Sequence, residues 1–305
     1  MKREQIKMWT KRFLWVFYYV LLITWLLPFF IALWIPSQPA DEGIYVPYVK
    51  NAQYASPAGA VVSEEALLDI VSAEMPASAE LDAIKAQVVA SRTYALRKLE
   101  EGNSVYDGQA HIDEAERKKR WGSQWQTNED KIRQAIFETA GEIMLYDGEP
   151  ILAAFHAQSA GKTEDSQMVW TSALPYLTSV DSSWEEEGDD FITKTHFSME
   201  QLEASLGVSG KMEILSRSEA GYVLSVQVAD QTFTGAEIRQ CLGLRSTAFT
   251  VEEEGDGLTF TVKGYGHGVG MSQRGAMALA AMGWDYHEIL SHYYTGVSFG
   301  FEKDG

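Results

Sequence analysis

The sequence predicts an α+β fold: mixed helices and antiparallel hairpins in one compact extracytoplasmic domain, preceded by a single N-terminal transmembrane helix. Three observations lead there. Phe13 to Ile35 is a 23-residue run without a charge, long enough at about 1.5 Å per residue to cross a hydrocarbon core of roughly 30 Å. Beyond it, helix and hairpin signals come in mixed order with no strand-helix-strand repeat, the pattern of an α+β domain. Finally, 46% hydrophobic and 22% charged residues exclude wholesale disorder, and a single cysteine excludes an intrachain disulfide.

Residues 1–35 read as a cytoplasmic basic flank and anchor, 36–43 as a linker, and 44–305 as the domain. Lys2, Arg3, Lys7, Lys11 and Arg12 precede the apolar run against Glu4 alone. That flank predicts a single-pass protein of the cell membrane, N-terminus in the cytoplasm and C-terminal domain outside. A cleaved signal peptide is the alternative, disfavoured because its apolar region is shorter and ends in small residues. The linker is polar and carries Pro36 and Pro39. In the domain, Ser63 to Glu74 reads as a helix stopped by Pro76, and Glu80 to Glu101 as a longer one with Leu81, Ile84, Val88 and Leu99 near one stripe. Residues 103–126 show no period and read as a long loop. Thr127 caps a third helix that ends at Gly141. Glu142–Tyr146, the turn Asp147-Gly148 and Pro150–His156 form a hairpin. Ser198 with Gln201, and Thr234 with Glu237, are capping-box helix starts. A strand covers Tyr222–Val228, a second hairpin 249–263, and two helices split by Gly283 cover about 272–294.

Charge narrows the partners. Without the first twelve residues the chain has 20 basic and 42 acidic side chains, a net −22, so nucleic acid is excluded as a partner. An anionic polymer such as a teichoic acid is repelled as well. A neutral sugar backbone, held by hydrogen bonds and aromatic faces, fits.

Two clusters carry chemistry. In Ala73-Glu74-Met75-Pro76 a carboxylate occupies the last turn of a helix, where the negative end of the dipole and partial burial favour its protonated form. Such a group can act as a general acid. On the next helix Lys85 and Arg92 fall close to one face, placing cations where they can order a sugar ring or stabilise a leaving oxygen. The second cluster, Lys263 to Gly275, alternates glycines with Tyr265, His267 and Gln273. The glycines let the backbone approach a ligand, but the pattern is not a phosphate loop. A third polar stretch holds His156 and Ser159, without the elbow of a serine hydrolase. His287 and His292 are five apart, a spacing that does not align metal ligands on a helix, so no metal or other cofactor is expected. Cys241 reads as a buried small apolar residue. Trp121 and Trp125 can either stack on sugar rings or pin their loop.

IVSAEMPASAELDAIKAQVVASRTYAL, FHAQSAGKTEDSQMVW and GYGHGVGMSQRGAMALAAMGWDYHEILSHYYTGV together resemble the stage II sporulation protein D family of peptidoglycan lytic transglycosylases, from about Ile44 to the end. The resemblance implies that Glu74 is the catalytic acid and that Arg92 matters for activity. It implies a substrate of glycan strands stripped of stem peptides, cleaved at the MurNAc-GlcNAc bond to leave 1,6-anhydro-MurNAc ends. It also implies septal wall remodelling and engulfment during sporulation, with a membrane-anchored amidase and a further membrane protein of the engulfment machinery as partners. Some relatives bind a metal through Cys and His after the H-x-x-S segment; this chain has no Cys there. The residues agree at one point. A glycosidase ordinarily needs two carboxyls, whereas a transglycosylase uses the sugar's own C6 hydroxyl and manages with one. The sequence offers one well-placed carboxylate, with Lys85, Arg92, His156, Ser159, Tyr265, His267 and Gln273 as expected substrate-binding residues. A non-catalytic glycan-binding activator of an amidase and a two-carboxylate muramidase are the alternatives.

Overall fold

The computed structural model describes residues 53–54, 56, 59–170, 172–185 and 190–302. The expected anchor and linker lie outside them, and among the described residues no helix is long and apolar enough to cross a membrane.

β1 (Gln53–Tyr54) leads into α1 (Glu64–Glu74). Ser63 caps α1 by accepting the Ala66 N–H, and Glu64 and Glu65 sit favourably in its first turn. The helix stops at Met75, ahead of Pro76. α2 (Leu81–Glu100) follows, and its burial differs from the single stripe expected. Ala86, Val89 and Ala90 face one apolar core, while Ala83, Ile84, Val88, Ala95 and Leu96 face another. α2 is therefore the shared wall of two cores, and its polar residues Gln87, Ser91, Arg92 and Thr93 are buried with it. Each is satisfied internally, as burial demands: the Thr93 hydroxyl, for example, donates to Val89 O and accepts from Met144 N–H.

The expected loop over 103–126 holds α3 (Glu114–Trp121) and a short 3₁₀ turn, Gly122–Gln124. α3 is an almost wholly polar helix, so hydrophobic period could not show it; Asp113 caps it and a buried cation holds it down. That cation is Arg117, which bonds Asp69 of α1, the Ile112 carbonyl at 3.1 Å and Glu129 at 3.2 Å. Glu129 belongs to α4 (Trp125–Glu138), which starts two residues before the expected Thr127 because it continues from the 3₁₀ turn, with no side-chain cap.

β2 (Glu142–Tyr146) and β3 (Glu149–Pro150) flank the expected turn, where Asp147 and Gly148 both have positive φ, 52° and 85°. The second arm is shorter than expected. After Ile151 the chain departs, and β4 (Phe155–His156) pairs in parallel with β11 (Met271–Ser272). α5 (Ser166–Val169) is a single turn.

A separate apolar core forms over 192–263. It holds β5 (Ile192–Ser198), α6 (Met199–Leu206), β6 (Met212–Arg217), β7 (Val223–Val228), β8 (Gln231–Thr234), α7 (Gly235–Leu242), β9 (Phe249–Glu254) and β10 (Gly257–Lys263). Both expected capping boxes are present, at Ser198 and Thr234. The strands form two antiparallel three-stranded sheets, β5-β10-β9 and β6-β7-β8. Cys241 lies on the outer face of α7 and is exposed, because Ile238 and Leu242 fill the inner one; the expectation of a buried cysteine is corrected. The chain then returns through α8 (Gln273–Ala281), α9 (Tyr286–Tyr293) and β12 (Ser298–Glu302), which completes the sheet β1-β12-β2-β3.

Candidate active site

Glu74 ends α1 at the floor of an open groove of about 470 Å³, lined also by Ser72, Met75, Pro76, Ser78, Arg120, Trp121 and Asn128. Two donors hold its carboxyl group. The Ala110 N–H donates to Oε1 at 2.7 Å, and Gln273 Nε2 donates to Oε2 at 3.1 Å. Burial pushes the Glu74 pKa above its ordinary value, and the Ala110 and Gln273 hydrogen bonds oppose that without cancelling it. Among the described residues lining the groove, Glu74 is the sole acid.

The segment 103–124 builds one wall. The Arg117 cluster fixes it, the Tyr106 hydroxyl bonds Asp69 at 3.2 Å, and Ile112 N–H donates to Asp69 O. Arg120 then reaches the Ser72 carbonyl at 3.3 Å, so Arg120 and Trp121 stand beside Glu74. Behind Gln273, whose side chain is 8% exposed, lies a buried relay: Gln273 Nε2 also donates to Gln87 Oε1, and Gln87 Nε2 donates to Ser91 Oγ.

Of the expected site residues the structure brings two, Glu74 and Gln273, into contact across 199 positions. Four others are placed differently. Arg92 is 2% exposed and donates to the carbonyls of Thr139 at 2.7 Å and Glu142 at 3.0 Å, so it joins α2 to the α4-β2 corner and faces no open groove. Lys85 pairs with Glu138 at 2.6 Å and lies over the Tyr286 ring. Ser159 is fully buried and donates to Glu185, a carboxylate that also takes the Ser272 hydroxyl. His156 is 4% exposed, with Nδ1 against Val269 O, and burial drives its pKa down to about 3. For Arg92, Lys85 and Ser159 the cause is the same, a polar end already taken by protein partners as burial demands, whereas His156 is enclosed with its Nε2 left without a hydrogen-bond partner among the described residues.

His267 lies 5.6 Å from the His156 ring, and burial lowers its pKa to about 4. Tyr265 is half exposed and lines a second groove. Glycines of this cluster pack closely against protein, where approach to a ligand was expected. A Cβ at Gly270 would sit 2.0 Å from Ala154 O, and one at Gly266 2.7 Å from the His156 Cβ. Sequence reasoning missed Ala110, whose contribution is a backbone N–H, and Arg120 and Asn128. For Gln87 the only signal was a polar residue inside an apolar helix.

The family described as "Stage II sporulation protein" matches residues 54–146, which contain Glu74, Ala110 and the groove wall. Stage II sporulation protein D of Bacillus subtilis (strain 168) is 36% identical over 286 residues, covering 86% of this chain and 83% of that protein. The same protein of Bacillus amyloliquefaciens is also 36% identical, over 77% of this chain and 73% of the relative. The chain belongs to the stage II sporulation protein D family. Beyond that family's named proteins, the chain is 29% identical to an amidase enhancer of Bacillus subtilis (strain 168), of which it covers 40%. Residues 180–270, the 192–263 core and its flanks, match a family described as a domain of unknown function.

Proposed function

We propose that the protein is a lytic transglycosylase acting on peptide-stripped peptidoglycan glycan, with Glu74 as both acid and base. The observation that carries this is a lone carboxyl with a raised pKa in an open groove, donors on both its oxygens. The protonated carboxyl gives its proton to the bridging oxygen as the bond from MurNAc C1 to that oxygen breaks. Ala110 N–H and Gln273 Nε2 then hold the carboxylate that remains. The C6 hydroxyl of the same MurNAc attacks C1, its proton passes to Glu74, and the enzyme is restored with no water consumed. A muramidase would need a second carboxyl as base or nucleophile, and the described groove lining offers none.

Localisation and partners follow the same reading. Residues 13–35 anchor the protein in the cell membrane with its domain outside, where it works on septal wall during engulfment with a membrane-held amidase and a further membrane protein. A second reading, a glycan-binding activator of an amidase, is favoured by the similarity to an amidase enhancer.

Mass spectrometry of peptide-free glycan incubated with purified protein separates these. The proposal expects 1,6-anhydro-MurNAc ends from the wild type and none from Glu74→Gln. A reducing MurNAc end would indicate a muramidase. No cleavage, with faster peptide release on adding an amidase, would indicate the activator.

A further inference from the structure

The second groove, about 530 Å³, is lined by Ala157, Gln158, Asp190, Arg245, Tyr265 and Arg274. Its composition is unusual for so acidic a chain, since two guanidinium groups meet a half-exposed tyrosine there. The Arg245 guanidinium lies 4.7 Å from the Tyr265 ring centroid, a cation–π contact on a ring that is itself half exposed. Arg245 Nε is buried with no hydrogen-bond partner among the described residues. So is Oε1 of Gln158, a side chain 3% exposed whose amide nitrogen is held by Glu185 O at 3.0 Å. Among the described residues Arg274 has one carboxylate contact, with Asp190 at 3.5 Å, half exposed and long for a charged pair. An unpaired buried donor and acceptor beside a half-exposed aromatic ring form a built site whose polar partners are missing.

We propose that this groove is a subsite for a carboxylate-bearing sugar ring, with Tyr265 under the ring and Arg274 and Arg245 on the carboxylate. Gln273, which holds Glu74, and Arg274, which lines the subsite, are consecutive residues, their Cα atoms about 3.8 Å apart at the start of α8. On the reading of the preceding section, on which the ligand's identity rests, the carboxylate is the lactyl group of MurNAc. Removing the stem peptide turns that group from a neutral amide into an anion, so the subsite reads whether an amidase has already acted.

Calorimetric titration tests this with the full-length chain carrying Glu74→Gln, so that glycan is bound and not consumed. Three ligands of equal length are compared: peptide-free GlcNAc-MurNAc oligomers, the same oligomers with the lactyl carboxyl amidated, and chitin oligomers. Charged hydrogen bonds of this kind predict a preference for the free carboxylate of roughly 10- to 100-fold over the amide. Arg274→Gln combined with Arg245→Gln abolishes the preference between acid and amide, and Arg274→Lys with Arg245→Lys restores part of it. Equal affinity for acid and amide, a preference that survives the double Gln variant, or no binding of any oligomer overturns the subsite. Failure of the catalytic reading is seen separately, as absence of anhydro product from the wild type: a carboxylate preference without product leaves the subsite standing, and product without preference removes it alone.

Discussion

Replacing Glu74 by Gln should abolish turnover while making the folded protein more stable at neutral pH. The carboxyl is isosteric with the amide, and Gln Oε1 still accepts the Ala110 N–H. The new amide nitrogen faces Gln273 Nε2, donor against donor. That conflict resolves along the relay, because Gln273 and Gln87 can each rotate by half a turn and the Ser91 hydroxyl at its end donates as readily as it accepts. The loss of general acid-base catalysis is worth about 10²- to 10⁴-fold in kcat, or about 3 to 5 kcal/mol of barrier. Stability moves the other way. Folding raises the Glu74 pKa above its usual 4.5, so between the unfolded and native pKa the folded protein holds a proton that the unfolded chain has lost. Unfolding free energy therefore falls as pH rises through that window, by about 1.4 kcal/mol for each pH unit crossed. Gln carries no such penalty. Urea unfolding at a series of pH values should show the two proteins equal below pH 4.5 and the variant ahead above the native pKa. Anhydro product within a few-fold of wild type, or a stability difference of the opposite pH slope, would refute the reasoning.

Other consequences can be measured in the same way. Gln273→Ala removes a hydrogen bond that lowers the Glu74 pKa, so the carboxyl stays protonated to higher pH and the alkaline limb of kcat/KM should move upward. Arg117→Ala leaves Asp69 and Glu129 facing each other without their cation. It should cost about 3 to 5 kcal/mol in chemical denaturation and raise hydrogen exchange across 103–124. Gly270→Ala forces a Cβ against Ala154 O at a φ of 72° and should lower the melting temperature markedly. Gly283→Ala, also at positive φ but facing open space, should lower it far less.

Helices with an apolar face and a local cap were legible in the sequence. α1, α8, α9 and both capping boxes stand where spacing put them, because the signals lie within one turn of the residues they order. α3 was not legible: it is held by Arg117 reaching Asp69, 48 positions away. β4 was misjudged for the same reason, since its partner β11 lies more than a hundred residues on and is admitted by the missing side chain of Gly270. Of the candidate site, Glu74 and Gln273 could be picked out, while Arg92 and Ser159 looked equally chemical and turned out to be buried ties.

By itself the sequence determined the α+β class and singled out Glu74 as the candidate acid, since these depend on residue type, short spacing and charge. Only the tertiary structure decided which polar residues face the groove. Spacing along a helix gives a residue's direction but not what is packed there, and α2, enclosed by two cores, leaves no side open to solvent over most of its length. Beside the groove, the segment that carries Ala110 and the polar helix α3 and the separate segment that carries Gln273 converge on Glu74 from distant parts of the chain.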